Sequence, residues 1–298
     1  MDKLIKQAFT LIELLVVIAI IGILSGLIVV SMGGVTQKAN VAKAQVFSNS
    51  LRNSLMIDMI SEWKFDGTST DGSVVTSSDV LDTWSSVNNG SVGGSPIVRT
   101  GSNCVNGSCI EFGTSNYIGC GISTTLDVTD ITVEAWALMT SMPTTEASLV
   151  SKGAQGSNNH FWLYYQPTTT RFYLEYSNGT TRTSAVCPIV SKLNTWFNVV
   201  GTYDGTTGYC YVDGIRGDAK TTLSGNMVAN NQTLTIGRYS ANGAYYWPGR
   251  IDNVRLYKTA ASTSQIKELY YVGLNKLLSS GSITREEYNQ RIVKIAEN

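Results

Sequence analysis

Glu13 is the residue whose setting most needs a chemical explanation. It lies within Phe9–Met32, an apolar run in which it is the one charged side chain. A bilayer core roughly 30 Å thick takes about 20 apolar helical residues, so this run is long enough to span one. A charge at such depth costs at least about 3 kcal/mol, and an acid kept there points to a pairing role. Gly22 and Gly26 stand four residues apart in the same run, a spacing that lets helices approach closely. Both also weaken the helix locally, so packing and local melting stay open as their roles. The plain alternative for Glu13 is a tolerated acid in a membrane anchor, reaching back to the headgroups.

Other reactive types are sparse. His160 is the one histidine, which excludes a multi-histidine metal site and leaves a single candidate base for any histidine-based triad, so none is expected. The strand-like run Ile131–Leu138 holds one carboxylate, Glu134, and Phe172–Tyr176 holds one, Glu175. Retaining glycosidases set two carboxyl groups about 5 Å apart, so no glycosidase pair is expected and the chain reads as a non-enzyme. The 22 basic and 22 acidic residues cancel, and no basic face invites nucleic acid.

Cys104, Cys109, Cys120, Cys187 and Cys210 are odd in number, leaving at least one unpaired or intermolecular. Asn106-Gly107 forms a tight turn that brings Cys104 opposite Cys109, the disulfide favoured over a zinc site, since a lone C-x4-C lacks a second close pair. Asp66 and Asp252 are candidate ligands of a structural calcium ion if the first and last strands pair; hard oxygen donors suit that ion. Asp82 and Asp213 are further loop carboxylates, and turn capping explains all four equally well. Tyr245 and Tyr246 lie in the aromatic run Asn242–Pro248 and are candidate ligand-binding residues, while Trp247 is expected in the core. Asn89, Asn106, Asn178 and Asn231 each begin an Asn-x-Ser/Thr sequon.

These residues need elements to hold them. Val41, Ala44, Phe47, Leu51, Leu55 and Met59 recur at helical steps, so the apolar run continues, after Ser31–Gly34, as an amphipathic helix. From Glu62 to Tyr257 the period becomes two, with Asn-Gly and Asp-Gly turns between short strands. About 195 residues of this kind suit one jelly-roll sandwich. The tail returns to helical spacing, with Thr284 and Glu287 as a capping box.

Phe9-Thr-Leu-Ile-Glu13, preceded by Lys3, Lys6 and the small Ala8, resembles the signal of type IV prepilins and pseudopilins. The resemblance implies cleavage between Ala8 and Phe9 by a prepilin peptidase and methylation of the Phe9 amine. It also implies pairing of Glu13 with that amine on a neighbouring subunit. The family mostly has Gly where this chain has Ala8. Trp63-Lys-Phe-Asp66, Ile131–Trp136, Trp196–Val200, Tyr211–Gly214 and Gly249–Tyr257 look like the concanavalin A-like, laminin-G-like jelly-roll family.

The expected architecture is therefore α+β. It has a leader (1–8), a transmembrane half-helix (9–32) and an amphipathic continuation (33–61). A laminin-G-like jelly roll (62–261) and a C-terminal helical segment (262–298) follow. The expected function is that of a structural subunit, major or minor, of a type IV filament or related secretion system; the alternative is an adhesin whose jelly roll binds glycan or protein. Its partners would be the peptidase, other pilin-like subunits and, before assembly, the membrane. The head would lie outside the cytoplasm, on a surface filament or a periplasmic pseudopilus.

Overall fold

The computed structural model describes residues 11–21, 46, 49–51, 53–153, 159–218, 223 and 225–297. The chain divides into two compact units, 1–50 and 51–298, each described by itself. In the first, residues 11–21 form a helix, α1, exposed along its whole length. Its large apolar side chains are between 43% (Val17) and 81% (Leu11) exposed. Such a surface must be covered by lipid or protein in use. Ala8, Phe9, Gly22, Gly26 and most of the 9–32 run lie outside the described residues. Among the described residues no helix is long and apolar enough to cross a membrane.

The second unit opens with helical residues 53–56 and then turns to β-structure. Its strands are β1 (Met59–Trp63), β2 (Ser91–Gly93), β3 (Ile97–Thr100), β4 (Ser108–Glu111) and β5 (Tyr117–Gly119). Next come β6 (Ile131–Met139), β7 (Ala147–Gly153), β8 (Asn159–Gln166), β9 (Arg171–Ser177) and β10 (Arg182–Ile189). The last are β11 (Trp196–Tyr203), β12 (Gly208–Val212), β13 (Ile215–Arg216), β14 (Thr235–Ile236) and β15 (Gly249–Tyr257). Helices α2 (Thr263–Ser279) and α3 (Arg285–Ala296) close the chain.

The strands form two antiparallel sheets. One runs β13-β12-β11-β6-β15-β4-β3, with β1 also on β15; the other runs β10-β9-β8-β7-β14-β5-β2. Alternate residues of β6, among them Val133, Ala135 and Ala137, join the core between the sheets. Its other face, Trp136 and Leu138, packs with Tyr270, Leu274 and Leu277 of α2. With apolar residues on both faces, every residue of β6 is buried. Gly273 permits this contact, because a Cβ there would fall 2.2 Å from the Trp136 ring.

The expected helix over 33–61 ends early. Leu55 and Met59 keep helical spacing, yet Met59–Trp63 is strand β1, paired with Val254–Tyr257. Burial of Trp63 in the sandwich core outweighs a weak local helical preference. The expected capping box at Thr284 is half formed. Thr284 Oγ1 accepts the Glu287 N–H at 3.1 Å, but the Glu287 carboxylate accepts from Arg291 at 2.8 Å. A full box forms instead at Ser262 and Gln265.

Beneath α2 the first sheet carries a buried charge network. Arg255 Nε reaches Glu62 at 2.7 Å and Arg255 Nη1 reaches Glu134 at 3.1 Å. Asn198 Nδ2 donates to Glu134 at 2.8 Å. A β-bulge brings these groups together. Asn253, at φ 48°, is the extra residue, and the register of β15 shifts between Asp252 and Arg255. Asp252 and Arg255 thus share the helix-covered face, while Ile251, Val254 and Leu256 stay in the core. Burial alone would raise the Glu62 carboxyl; Arg255 and Lys64 more than offset this and hold it below its ordinary value.

Candidate functional site

Three places bear on function. On α1, Glu13 is an exposed acid among exposed apolar residues. On a helix, residues four apart share a face, so Glu13 lies on one face with Val17 and Ile21, 43% and 55% exposed. The stripe joins a carboxylate to exposed apolar surface.

The second place is the Cys104–Cys109 loop. The two sulfurs are bonded, as the Asn106-Gly107 turn predicts. Asp66 and Asp252 do come together, both accepting hydrogen bonds from the backbone of this loop. Asp66 Oδ1 accepts the Ser108 N–H at 2.8 Å. Asp252 Oδ2 accepts the N–H groups of Val105 and Asn106, at 2.9 and 3.2 Å. Gly107, at φ 57°, is required: a Cβ there would meet Asp66 Oδ1 at 2.1 Å. Burial pushes the Asp252 carboxyl well above its ordinary range; Asp66 adds to this and the loop N–H groups oppose it. Among the described residues no third acidic side chain, cysteine or histidine joins the pair. Calcium takes about six to eight oxygens. Both carboxylates anchor the loop through its backbone N–H groups. From the other side, Ser282 Oγ after α2 donates to the Cys104 carbonyl at 2.6 Å.

A second disulfide, Cys187–Cys210, joins β10 to β12; nothing in the spacing of those cysteines announces it. Cys120 is free and buried. Asp82 caps its own turn, accepting the Trp84 and Ser85 N–H groups at 3.1 and 3.2 Å. Asp213 accepts the Asn198 N–H at 2.9 Å.

The third place is the outer face of the second sheet. Trp162 and Tyr164 alternate along β8, and the Arg238–Tyr245 loop folds over them. Ring centroids are 5.5 Å apart for Tyr173–Tyr164, 4.0 Å for Tyr164–Trp162, 4.2 Å for Trp162–Tyr239 and 5.5 Å for Trp162–Tyr245. Tyr245 thus joins an aromatic ladder, whereas Tyr246 has no ring partner among the described residues. Trp162 and Tyr164 stack on one another and are only 7% and 8% exposed. The faces on which a sugar would stack are largely used within the ladder. Trp247 is fully buried in the core, as expected.

At the end of this sheet, His160 is buried, with Nδ1 2.8 Å from the Val228 carbonyl. Burial lowers its pKa to about 4, opposed by the hydrogen bond to Val228. The unfolded histidine titrates near 6.5, so the unfolded chain binds the proton more tightly. Stability from this group is whole above about pH 6.5 and falls by up to about 3 kcal/mol as pH drops to 4. Denaturation of wild type and His160→Gln at pH 7 and pH 4.5 checks this. The variant is expected to lose part of the acid sensitivity, and an identical pH slope would rule the effect out.

The geometry defines a two-part molecule, an exposed apolar helix and a β-sandwich head closed by a helical hairpin. The profile of the concanavalin A-like lectin/glucanases superfamily matches residues 112–267, over half of the chain, and the chain belongs to that superfamily. The prokaryotic N-terminal methylation motif matches residues 5–29. No curated protein sequence gives a significant match.

Among solved structures, the chain is similar to domain 4 of AbnA, a GH43 extracellular arabinanase from Geobacillus stearothermophilus, in complex with arabinotriose. The identity is 14% and the TM-score 0.56, over 72% of this chain and 98% of that one. It is also similar to the binding domain of Paraclostridial Mosquitocidal Protein 1, at 15% and 0.55 over 74% of this chain and 53% of that one. The botulinum neurotoxin serotype D binding domain matches at 14% and 0.56, over 75% and 53%. The chain thus spans about half of each toxin domain. At these identities the likeness is one of fold alone.

Proposed function

We propose that this protein is a non-catalytic subunit of a type IV filament or related secretion pseudopilus, displaying a jelly-roll head on a processed N-terminal helix. The observation that carries the reading is the exposed apolar α1 bearing Glu13 inside the span of the methylation motif. A prepilin peptidase would cut between Ala8 and Phe9, and the apolar run would hold the subunit in the membrane until assembly. The filament would then replace lipid with neighbouring helices around each span. Two disulfides suit a head outside the cytoplasm. An adhesin reading calls for open aromatic faces, and the ladder of Trp162 and Tyr164 stacks on itself, which favours the structural role.

Mass spectrometry of the N-terminus, with separation of sheared filament from the membrane pool, tests this. The expected chain begins at N-methyl-Phe9 and appears in both fractions. An intact Met1, or loss of the whole apolar run, would refute it.

A further inference from the structure

Lys152 on β7 is wholly buried, the only buried lysine among the described residues. Lysine is almost never fully buried unless paired, and three oxygens surround this one. Its Nζ lies 2.6 Å from Asp127 Oδ1. It donates to the Asn230 carbonyl at 2.8 Å and to Asn230 Oδ1 at 3.1 Å. Asp127 follows the 3-10 turn Thr124–Leu126. Asn230 lies in 226–234, a stretch with neither helix nor strand that leads to β14. Three distant parts of the chain thus bring an amine, a carboxylate and a carboxamide to one point. The Asp127 side chain is only 13% exposed, so the cluster is largely shielded from water.

The carboxamide is set up for attack. Asn230 Oδ1 also accepts the Gln232 N–H at 3.0 Å, so two donors converge on one amide oxygen. They draw electrons from Cγ, and the Gln232 N–H stays in place to hold negative charge on that oxygen as Cγ becomes tetrahedral. Cγ is bonded to the oxygen that the ammonium touches. The fold therefore holds the amine beside the carbon it would attack, the proximity that makes such a step intramolecular.

We infer that Lys152 and Asn230 become joined by an isopeptide bond that the folded head forms on itself, with Asp127 carrying the proton. The Asp127 carboxylate takes a proton from the ammonium, and the freed electron pair of Nζ attacks Cγ. The Nζ–Cγ bond forms and the Cγ–Nδ2 bond breaks. The leaving nitrogen takes a second proton from Nζ and departs as ammonia, which the proton on Asp127 converts to ammonium. Nothing is oxidised or reduced; the chain loses one ammonia and one positive charge. Burial favours the product, because a neutral amide replaces a charge that is costly to keep from water. The link ties β7, in the middle of the second sheet, to a stretch without strands of its own.

Tryptic mapping of the full chain by mass spectrometry, after reduction of the disulfides, tests this. Trypsin should spare Lys152, since its side chain is now an amide. The digest should hold a branched peptide joining Lys152 to Asn230, lighter by one ammonia than the sum of its two arms. Asp127→Asn is expected to fold, as near-UV circular dichroism would show, yet to keep its ammonia and give linear peptides. Lys152 and Asn230 in separate linear peptides of full mass in the wild type would overturn the inference. So would ammonia lost only from a linear Asn230 peptide, the mark of a cyclic imide. An Asp127→Asn chain linked as fully as wild type would overturn the part given to the carboxylate. The wild-type digest decides on the bond even where the variant fails to fold.

Discussion

Glu13→Val is expected to keep membrane insertion and leader cleavage while abolishing filament assembly. Insertion should become easier, since the burial penalty of an acid, at least about 3 kcal/mol at mid-bilayer, disappears. Assembly should fail for the complementary reason. If the carboxylate meets the Phe9 amine of a neighbouring subunit, the variant leaves that cation buried without its partner. Removing one member of a buried pair costs about 3–5 kcal/mol, and every added subunit would bear it. Phe9 methylation is expected to fall as well. The measurement is the ratio of sheared filament to membrane-pool protein in wild type and variant. An unchanged ratio would reduce Glu13 to a tolerated acid in an anchor.

The second large effect lies in the head. Arg255→Met should destabilise it by about 3–5 kcal/mol at pH 7, because Glu134 would stay buried without its cation and Glu62 would keep only the partly exposed Lys64. Against a domain stability of about 5–15 kcal/mol, that brings the head close to unfolding. The pH dependence gives a second check. In the wild type the Glu62 carboxyl is held below its ordinary value, so its contribution is present above the ordinary glutamate range. It is lost as pH falls through the lowered folded value. Without Arg255 the effect of burial on Glu62 is less opposed, and the variant should lose least at acid pH and most at neutral pH. Chemical denaturation of both proteins at pH 4.5 and pH 7, followed by tryptophan fluorescence, measures this. A difference under about 1 kcal/mol at pH 7 would mean that water or a rearranged lysine replaces the guanidinium.

Much of the head was legible because its strands obey short-range rules. Ile131–Leu138, Phe172–Tyr176, Trp196–Tyr203, Gly208–Val212 and Arg250–Tyr257 are strands or lie within them. Period-two patterning and Asn-Gly or Asp-Gly turns are properties of neighbouring residues. The pairing of Cys104 with Cys109 was legible for the same reason, since a tight turn joins them. β2, β3 and β5 were not, because three or four residues are too few to show a period. The boundary at Met59 is not legible in the sequence, because Leu55 and Met59 satisfy helical spacing and only the partner strand β15 favours an extended chain there.

The site followed the same division. The sequence by itself determined the leader motif, the apolar run with Glu13, the even charge balance and the near absence of catalytic residue types, since each is a matter of residue kinds and local spacing. Tertiary structure alone decided that Cys187 bonds Cys210 across two strands and that Asp66 and Asp252 share one loop. It also decided that Tyr245 joins rings on β8 and that Trp84, alone of the tryptophans, is left substantially exposed. Those outcomes join residues far apart in the chain. The clearest case is the bulge at Asn253, which turns Asp252 and Arg255 to one face although their spacing breaks strand alternation. One extra residue in the ladder reverses which side chains meet, and only the fit of β15 between β6, β1 and β4 specifies where that residue goes.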